Sequence, residues 1–220
     1  MNTVEHDGFA MAKRVVSERM REALLAAIVD PDGPGRRGLL ALPEVRAFAH
    51  SPTMMSLVSP HLSAPASPVR AIFFDKSPTS NWLVPWHQDV TIAVSHQAEI
   101  SGYGPWSLKD GIPHVQPPDA FLSQMITVRI HLDDCDASNG ALRVIPGSHK
   151  QGRLAPHQIA TAKSLSQEVV CEASAGDALL MRPLLLHASS KSVSHRRRRI
   201  LHVEYCSADL PPGLAWHDAA

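Results

Sequence analysis

At 220 residues, 44% apolar and 19% charged, the chain has the length and composition of one folded domain with a sizeable core, neither disordered nor fibrous. Lys plus Arg and Asp plus Glu both number 21, so no global basic field exists to attract nucleic acid or an anionic membrane. Three distant cysteines (Cys135, Cys171, Cys206) make neither a zinc spacing nor a disulfide framework, which suits a reducing cytoplasm. No stretch approaches the ~18 apolar residues of a membrane span, and the charged opening MNTVEHDGFAMAKRVV lacks the apolar core of a secretory signal.

Residues 10–29 carry a helical period. Val16, Met20, Leu24 and Ile28 lie four apart on one face, and the turn-forming DPDGPG at 30–35 ends the helix. Two short helical pieces follow, near Pro43–His50 and Thr53–His61. From Val69 the pattern changes to short strands: VRAIFF (69–74), VTIAVS (90–95), LSQMITVRIHL (122–132), ALRVI (141–145), EVVCEA (168–173), DALLM (177–181), LLLH (184–187) and ILHVEYC (200–206). Pro-Gly, Asn-Gly and Gly-Asp steps punctuate them. The expected fold is mainly β: a jelly-roll, or double-stranded β-helix, over 69–206, with a mostly helical part (1–68) packed outside it in a single domain. The segment from Ser95 to Phe121 contains GYGPWSLKDGIPHVQPP and reads as a strand-interrupted lid, because long insertions in compact domains are usually functional. Its glycines and prolines, with Tyr103 and Trp106 read as exposed, suit a mobile flap.

Thirteen histidines invite a search for metal ligands. Two histidines and one carboxylate on one face of an octahedron leave three adjacent positions open, the arrangement of non-haem Fe(II) oxygenases. In sequence it takes the form His-x-Asp/Glu at a strand end plus a distant His. With 21 acidic residues in the chain, chance supplies about one such step, and three occur: His87/Asp89, His131/Asp133 and His202/Glu204. The pattern leaves His87/Asp89 and His131/Asp133 as competitors. His187, ending the apolar run LLLH, is the candidate distal ligand. Soon after it comes the run Arg196-Arg197-Arg198-Arg199. Such a run usually forms a solvated or anion-binding patch, but strand alternation directly before ILHVEYC turns some of these side chains inward, where a guanidinium can pair with a carboxylate.

Four segments, PWHQD (85–89), LDDCDASNGALRVIPGSHK (132–150), GDALLMRPLLLHAS (176–189) and RRILHVEY (198–205), resemble the phytanoyl-CoA dioxygenase family in that order, over roughly 69–206. The resemblance implies Fe(II) held by His87, Asp89 and His187, because the family's metal step lies upstream of the LDD phrase. It also implies 2-oxoglutarate as cosubstrate, with Arg198, eleven residues after His187, on its far carboxylate and Ser189 supplying a hydroxyl. His149 in PGSH is a family landmark read as structural. The implied reaction uses dioxygen, decarboxylates 2-oxoglutarate to succinate and CO2, and hydroxylates a small molecule. Asp89 argues against halogenation, which would need an Ala or Gly there; desaturation, epoxidation and ring closure depend on substrate pose.

Arg129 departs from the family pattern, in which many relatives have an uncharged residue. Parity places Thr127, Arg129 and His131 on one strand face. If that face looks into the barrel, Arg129 requires an anion, from cosubstrate or from an acidic substrate. Arg70 and Lys76 are further candidate pocket residues. Two other readings remain at this point: a cupin-like metalloenzyme that does not use 2-oxoglutarate, and a non-enzymatic jelly roll that binds anions or nucleic acid through Arg196–Arg199.

Overall fold

The structure is a computed structural model and describes residues 2–28 and 34–218. Near the N-terminus a strand, β1 (Phe9–Ala12), precedes the first helix, α1 (Glu18–Ala27). The helix expected from residue 10 therefore begins eight residues later. Residues 9–12 instead pair with a distant strand, Phe9 opposite Met181 and Ala12 opposite Ala178, and long-range pairing overrides the local helical period. Ser17 caps α1, its Oγ accepting the Met20 amide at 3.3 Å. Leu24 and Ile28 are buried as their spacing predicts, whereas Met20, in the first turn, is 42% exposed. The expected turn at 30–35 falls largely on residues outside those described. β2 (Gly35–Arg36), α2 (Pro43–Ala49) and α3 (Pro52–Val58) follow, the two helices matching the two short pieces read from the sequence.

The remaining strands are β3 (Ser67–Lys76), β4 (Val84–His87), β5 (Ile92–Ala93), β6 (Trp106–Lys109) and β7 (Ile112–Val115). After the single turn α4 (Asp119–Leu122) come β8 (Met125–His131) and β9 (Leu142–Val144). Helix α5 (Pro156–Leu165) leads to β10 (Val169–Cys171), β11 (Ala178–Met181), β12 (His187–Ser189) and β13 (Arg198–Cys206). They form a six-stranded sheet in the order β1-β11-β8-β13-β3-β2, a four-stranded sheet β10-β9-β12-β4 and a three-stranded sheet β5-β7-β6. This is the mainly β jelly roll the strand pattern predicts.

Two cores result from the alternation of side chains along the large sheet. Ala71, Phe73, Val128, Ile130, Leu180, Leu201, Val203 and Tyr205 turn to one side and pack with Leu24, Leu39, Val45 and Met54 of the helical layer. Phe9, Leu179 and Met181 turn to the other side and meet Leu142 and Val144 of the four-stranded sheet. Between the sheets, next to this second core, lies the cavity described below.

Two expected elements differ. Leu184–Leu186 form a turn and not a strand, since the Leu185 amide donates to Arg182 O at 3.1 Å, so β12 starts at His187 itself. The segment 95–121 is interrupted by two strands, as expected, but they close on each other: β6 and β7 form a hairpin whose two-residue turn, Asp110-Gly111, has positive φ at both positions (52° and 78°), the geometry that matches strand twist. Tyr103 packs edge-on against Phe121 at 6.1 Å, and Trp106 joins the same apolar cluster, so these rings are partly buried. Among the described residues no helix is long and apolar enough to cross a membrane.

Candidate metal centre and its anion pocket

β4 and β12 run antiparallel with His87 directly opposite His187, and Asp89 follows two residues on. These three offer ligand atoms that all lie within 4.8 Å of one another, and no other such His/Cys/Asp/Glu group exists among the described residues. The two rings are oriented by the same device. His87 Nδ1 lies 2.8 Å from Pro85 O, and His187 Nδ1 lies 2.8 Å from Leu185 O. Each carbonyl fixes the proton on Nδ1 and leaves the Nε2 lone pair free, as metal-ligating imidazoles require. The free nitrogens approach Asp89 from both sides, His87 Nε2 at 3.8 Å from Oδ1 and His187 Nε2 at 3.7 Å from Oδ2. Burial pushes the Asp89 carboxyl up, but His187 and His87 outweigh it and hold the group down at about 2. Burial brings His187 to about 4 against the pull of Asp89. Asp89 is thus a carboxylate and His187 a neutral imidazole at neutral pH, the ionisation a divalent cation needs.

Gln88, between the two metal-motif residues, points the opposite way and fastens the loop. Its Nε2 donates to Gly152 O at 2.9 Å and Leu184 O at 2.7 Å, and its Oε1 accepts the Leu154 amide at 2.8 Å. The Asp89 amide donates to Pro183 O at 2.9 Å. On the other side, Ser148 Oγ donates to Ile145 O at 2.7 Å and accepts the Leu186 amide at 2.8 Å, fixing the residue before His187.

The competing pair does not converge. Asp133 is held in a two-pronged pair by Arg199, at 2.7 and 2.8 Å. Both ring nitrogens of buried His131 lack a hydrogen-bond partner, and desolvation lowers that imidazole to about 3.

A cavity of about 280 Å3 opens at the metal residues, lined among others by Arg70, Phe74, Arg129, Ser189, Arg198 and Glu204. Of the four consecutive arginines, only Arg198 turns inward, at 3% exposure. Arg196 pairs with Asp136, Arg197 with Asp75 and Arg199 with Asp133. The three outward arginines of the run are therefore each matched by an aspartate. Arg198 donates to Gly140 O, and Ser189 Oγ donates to the same carbonyl at 2.8 Å. A Cβ on Gly140 (φ +82°) would come within 2.7 Å of Ser190 O, so only glycine brings its carbonyl to this spot. The Arg198 guanidinium makes no ion pair among the described residues, and its Nε has no partner. Lys76 stands beside it, donating to Ser189 Oγ at 3.1 Å and Ser190 O at 2.6 Å; it supports the pocket wall without lining the cavity. Desolvation, reinforced by Arg198, lowers the Lys76 ammonium to about 7.

Arg129, on the β8 face it shares with Thr127 and His131, turns into the cavity and is 7% exposed. Its Nη1 donates to His202 Nδ1 at 3.0 Å, and its guanidinium lies 5.5 Å from the Phe74 ring centre. Burial, then Arg198, lowers its pKa to about 10, so it stays charged at neutral pH. His202 Nε2 in turn reaches Glu204 Oε1 at 3.2 Å, and Arg70 reaches the same oxygen at 3.4 Å. Sequence reasoning left His202 and Glu204 as a chance His-x-acid step; their parity with Arg198 on β13 was the available signal. Lys109, on the β6 edge at the cavity mouth, was also missed, since it sits in the segment read as a lid.

A family model for phytanoyl-CoA dioxygenase matches residues 4–200. No curated protein sequence matches the chain at a significant level. Among solved structures, the chain is similar to SnoK, a non-heme alpha ketoglutarate dependent carbocyclase from nogalamycin biosynthesis. That match has a TM-score of 0.70 at 17% identity and covers 98% of this chain and 84% of SnoK. AviO1 from Streptomyces viridochromogenes Tue57 matches with a TM-score of 0.65 at 22% identity, covering 95% and 94%. HygX from Streptomyces hygroscopicus, solved with nickel and 2-oxoglutarate bound, matches with a TM-score of 0.65 at 17% identity, covering 93% and 85%. At these identities the likeness is one of fold.

Proposed function

The chain belongs to the phytanoyl-CoA dioxygenase family, and from that premise we propose that it is an Fe(II)- and 2-oxoglutarate-dependent oxygenase. It hydroxylates a small molecule and releases succinate and CO2, with one atom of dioxygen entering each of the two organic products. The observation that carries this reading is the pairing of His87, Asp89 and His187 at one point with a buried, unpaired Arg198 across the cavity.

The donor set fits the metal. Two imidazoles and one carboxylate on one side of a cation are the facial arrangement that suits Fe(II) and leaves positions for cosubstrate and dioxygen. When bound, Fe(II) and 2-oxoglutarate supply the oxidising chemistry, and the protein supplies placement. His87 and His187 hold the cation through Nε2, kept in that tautomer by Pro85 O and Leu185 O. Asp89 adds the charge, and as a carboxylate it leaves no vacant halide position. Arg198 takes the far carboxylate of the cosubstrate in a two-pronged pair, with the Ser189 hydroxyl beside it. Gly140 O accepts from both donors and holds them side by side on the cavity wall. A cupin-like enzyme that does not use 2-oxoglutarate gives Arg198 no task, and a buried cation without an anion is costly. We place the reaction in one domain, in a reducing compartment such as the cytoplasm, where Cys135, Cys171 and Cys206 stay free thiols.

The test is an anaerobic titration with Fe(II) and 2-oxoglutarate, followed by admission of oxygen and assay of succinate. One equivalent of each ligand and slow succinate formation without substrate are expected. Failure of 2-oxoglutarate to bind the iron-loaded protein would remove the reading in favour of the cupin-like alternative.

A further inference from the structure

Charge balance in the cavity leaves something over. Taking the proposed loading as premise, the two charges of Fe(II) and that of Arg198 are matched by Asp89 and the two carboxylates of 2-oxoglutarate. Arg70 is matched by Glu204, at 3.4 Å, and Arg37 by Asp110, at 2.6 Å. Among the described residues two lining cations remain without an acid: Arg129 on the inner wall and Lys109 at the mouth, whose Nζ donates there only to the Thr91 hydroxyl at 2.9 Å.

The surroundings of Arg129 explain how it persists without an acid. It donates to His202 Nδ1, so that ring's proton must sit on Nε2, where it is directed at Glu204. Glu204 is thereby shared between His202 and Arg70, and its charge does not reach Arg129 directly. The row Arg129–His202–Glu204–Arg70 runs across β8, β13 and β3 and carries one net positive charge at its Arg129 end. The register sets this up, with His202 opposite Arg129 and Glu204 opposite Arg70. Arg129 Nε is buried and has no hydrogen-bond partner, and the guanidinium lies over the Phe74 ring with Val84 and Trp82 also lining the cavity. A desolvated guanidinium with an idle donor, next to apolar and aromatic surface, is a carboxylate or phosphate subsite with an apolar wall.

We propose that the substrate of this enzyme is an anionic small molecule whose carboxylate or phosphate is bound by Arg129, with an apolar or aromatic frame against Phe74 and Trp82, and that Lys109 draws the anion in at the mouth. Arg129 acts on the substrate and not on the cosubstrate. The inference rests on the oxygenase reading, since the charge left over depends on that loading.

Matched probes test it: benzoate, and its neutral isostere benzamide, titrated calorimetrically into the anaerobic protein already saturated with Fe(II) and 2-oxoglutarate. Benzoate should bind alongside 2-oxoglutarate and benzamide at least tenfold more weakly. Arg129→Gln should weaken benzoate tenfold or more with unchanged Fe(II) and 2-oxoglutarate affinity, Arg129→Lys should recover part of the loss, and Lys109→Ala should slow association with a smaller loss of affinity. Equal binding of benzoate and benzamide to the wild type would overturn the proposal. So would loss of 2-oxoglutarate affinity in Arg129→Gln, which would give Arg129 to the cosubstrate while leaving the oxygenase reading intact. Failure of the wild type to bind 2-oxoglutarate at all would instead sink the oxygenase reading, and this inference with it.

Discussion

Strands β8 and β13 each present two surfaces that share a backbone and little else. On β13, Leu201, Val203 and Tyr205 turn to the helical layer and are fully buried among aliphatic side chains. Arg198, His202 and Glu204 turn to the cavity, where directed contacts hold each one. The first surface is held by burial, which tolerates exchange of one apolar shape for another at modest cost. The second surface is held by geometry, in which a change of charge or tautomer undoes a partner. Residues adjacent in sequence therefore belong to different tasks, and stability and chemistry can be perturbed separately on a single strand.

The sharpest separation is expected at the metal residues. Asp89→Ala or His187→Ala should abolish stoichiometric Fe(II) binding and succinate formation, while His131→Ala keeps both. Metal-free Asp89→Ala should melt close to the metal-free wild type by circular dichroism, and a collapse there would break the comparison. On the opposite surface, Leu201→Ala should cost about 2–5 kcal/mol in urea unfolding, with Fe(II) affinity of the folded protein unchanged. Arg198→Lys comes next. It keeps the charge but loses the planar fork, and the loss of a charged hydrogen bond worth ~1.5–3 kcal/mol should weaken 2-oxoglutarate roughly ten- to hundredfold, with iron binding and melting temperature preserved. Tyr205→Phe removes the 2.8 Å hydrogen bond from the hydroxyl to Ala49 O, and should cost about 1 kcal/mol of stability with no effect on either ligand.

A pH dependence sharpens the comparison at its border. Lys76 lies behind the cavity wall, its pKa lowered from 10.5 to about 7 by burial and then by Arg198. Between those two values the unfolded chain binds more protons than the folded one, so stability should rise as pH rises through that window and level off below it. Lys76→Met should flatten this slope in urea midpoints measured just above pH 7 and near pH 10. An unchanged slope would assign the pH dependence to other groups.

The inner surface was more legible in the sequence than the outer frame around it. Two-residue alternation put Arg129 on one face with Thr127 and His131 and turned some of the four arginines inward, while the resemblance, counting eleven residues from His187, singled out Arg198. The resemblance set the ligand triad apart from His131/Asp133, and the geometry brings the triad, and not the competitor, together. Position along the chain was less legible. Residues 10–12 carry a helical period yet form β1, because the edge of β11 offers them backbone partners that no local pattern reveals. Leu184–Leu186 read as strand but turn, since Ser148, thirty-eight residues away, captures the Leu186 amide. The roles of Gln88 and Gly140 were equally hidden: each acts through contacts with residues more than forty positions distant.

The direct opposition of His87 and His187 has a consequence for the life of the molecule. β4 and β12 are four and three residues long, and a slip of one residue in their pairing would turn one imidazole away from the other. A cation bound to both rings rivets the two strands in register. Mass action adds to this: a ligand at a hundred times its dissociation constant stabilises the form that binds it by about 2.7 kcal/mol. Without the cation, the pairing of β4 and β12 rests on its own few backbone contacts, at the edge of the four-stranded sheet.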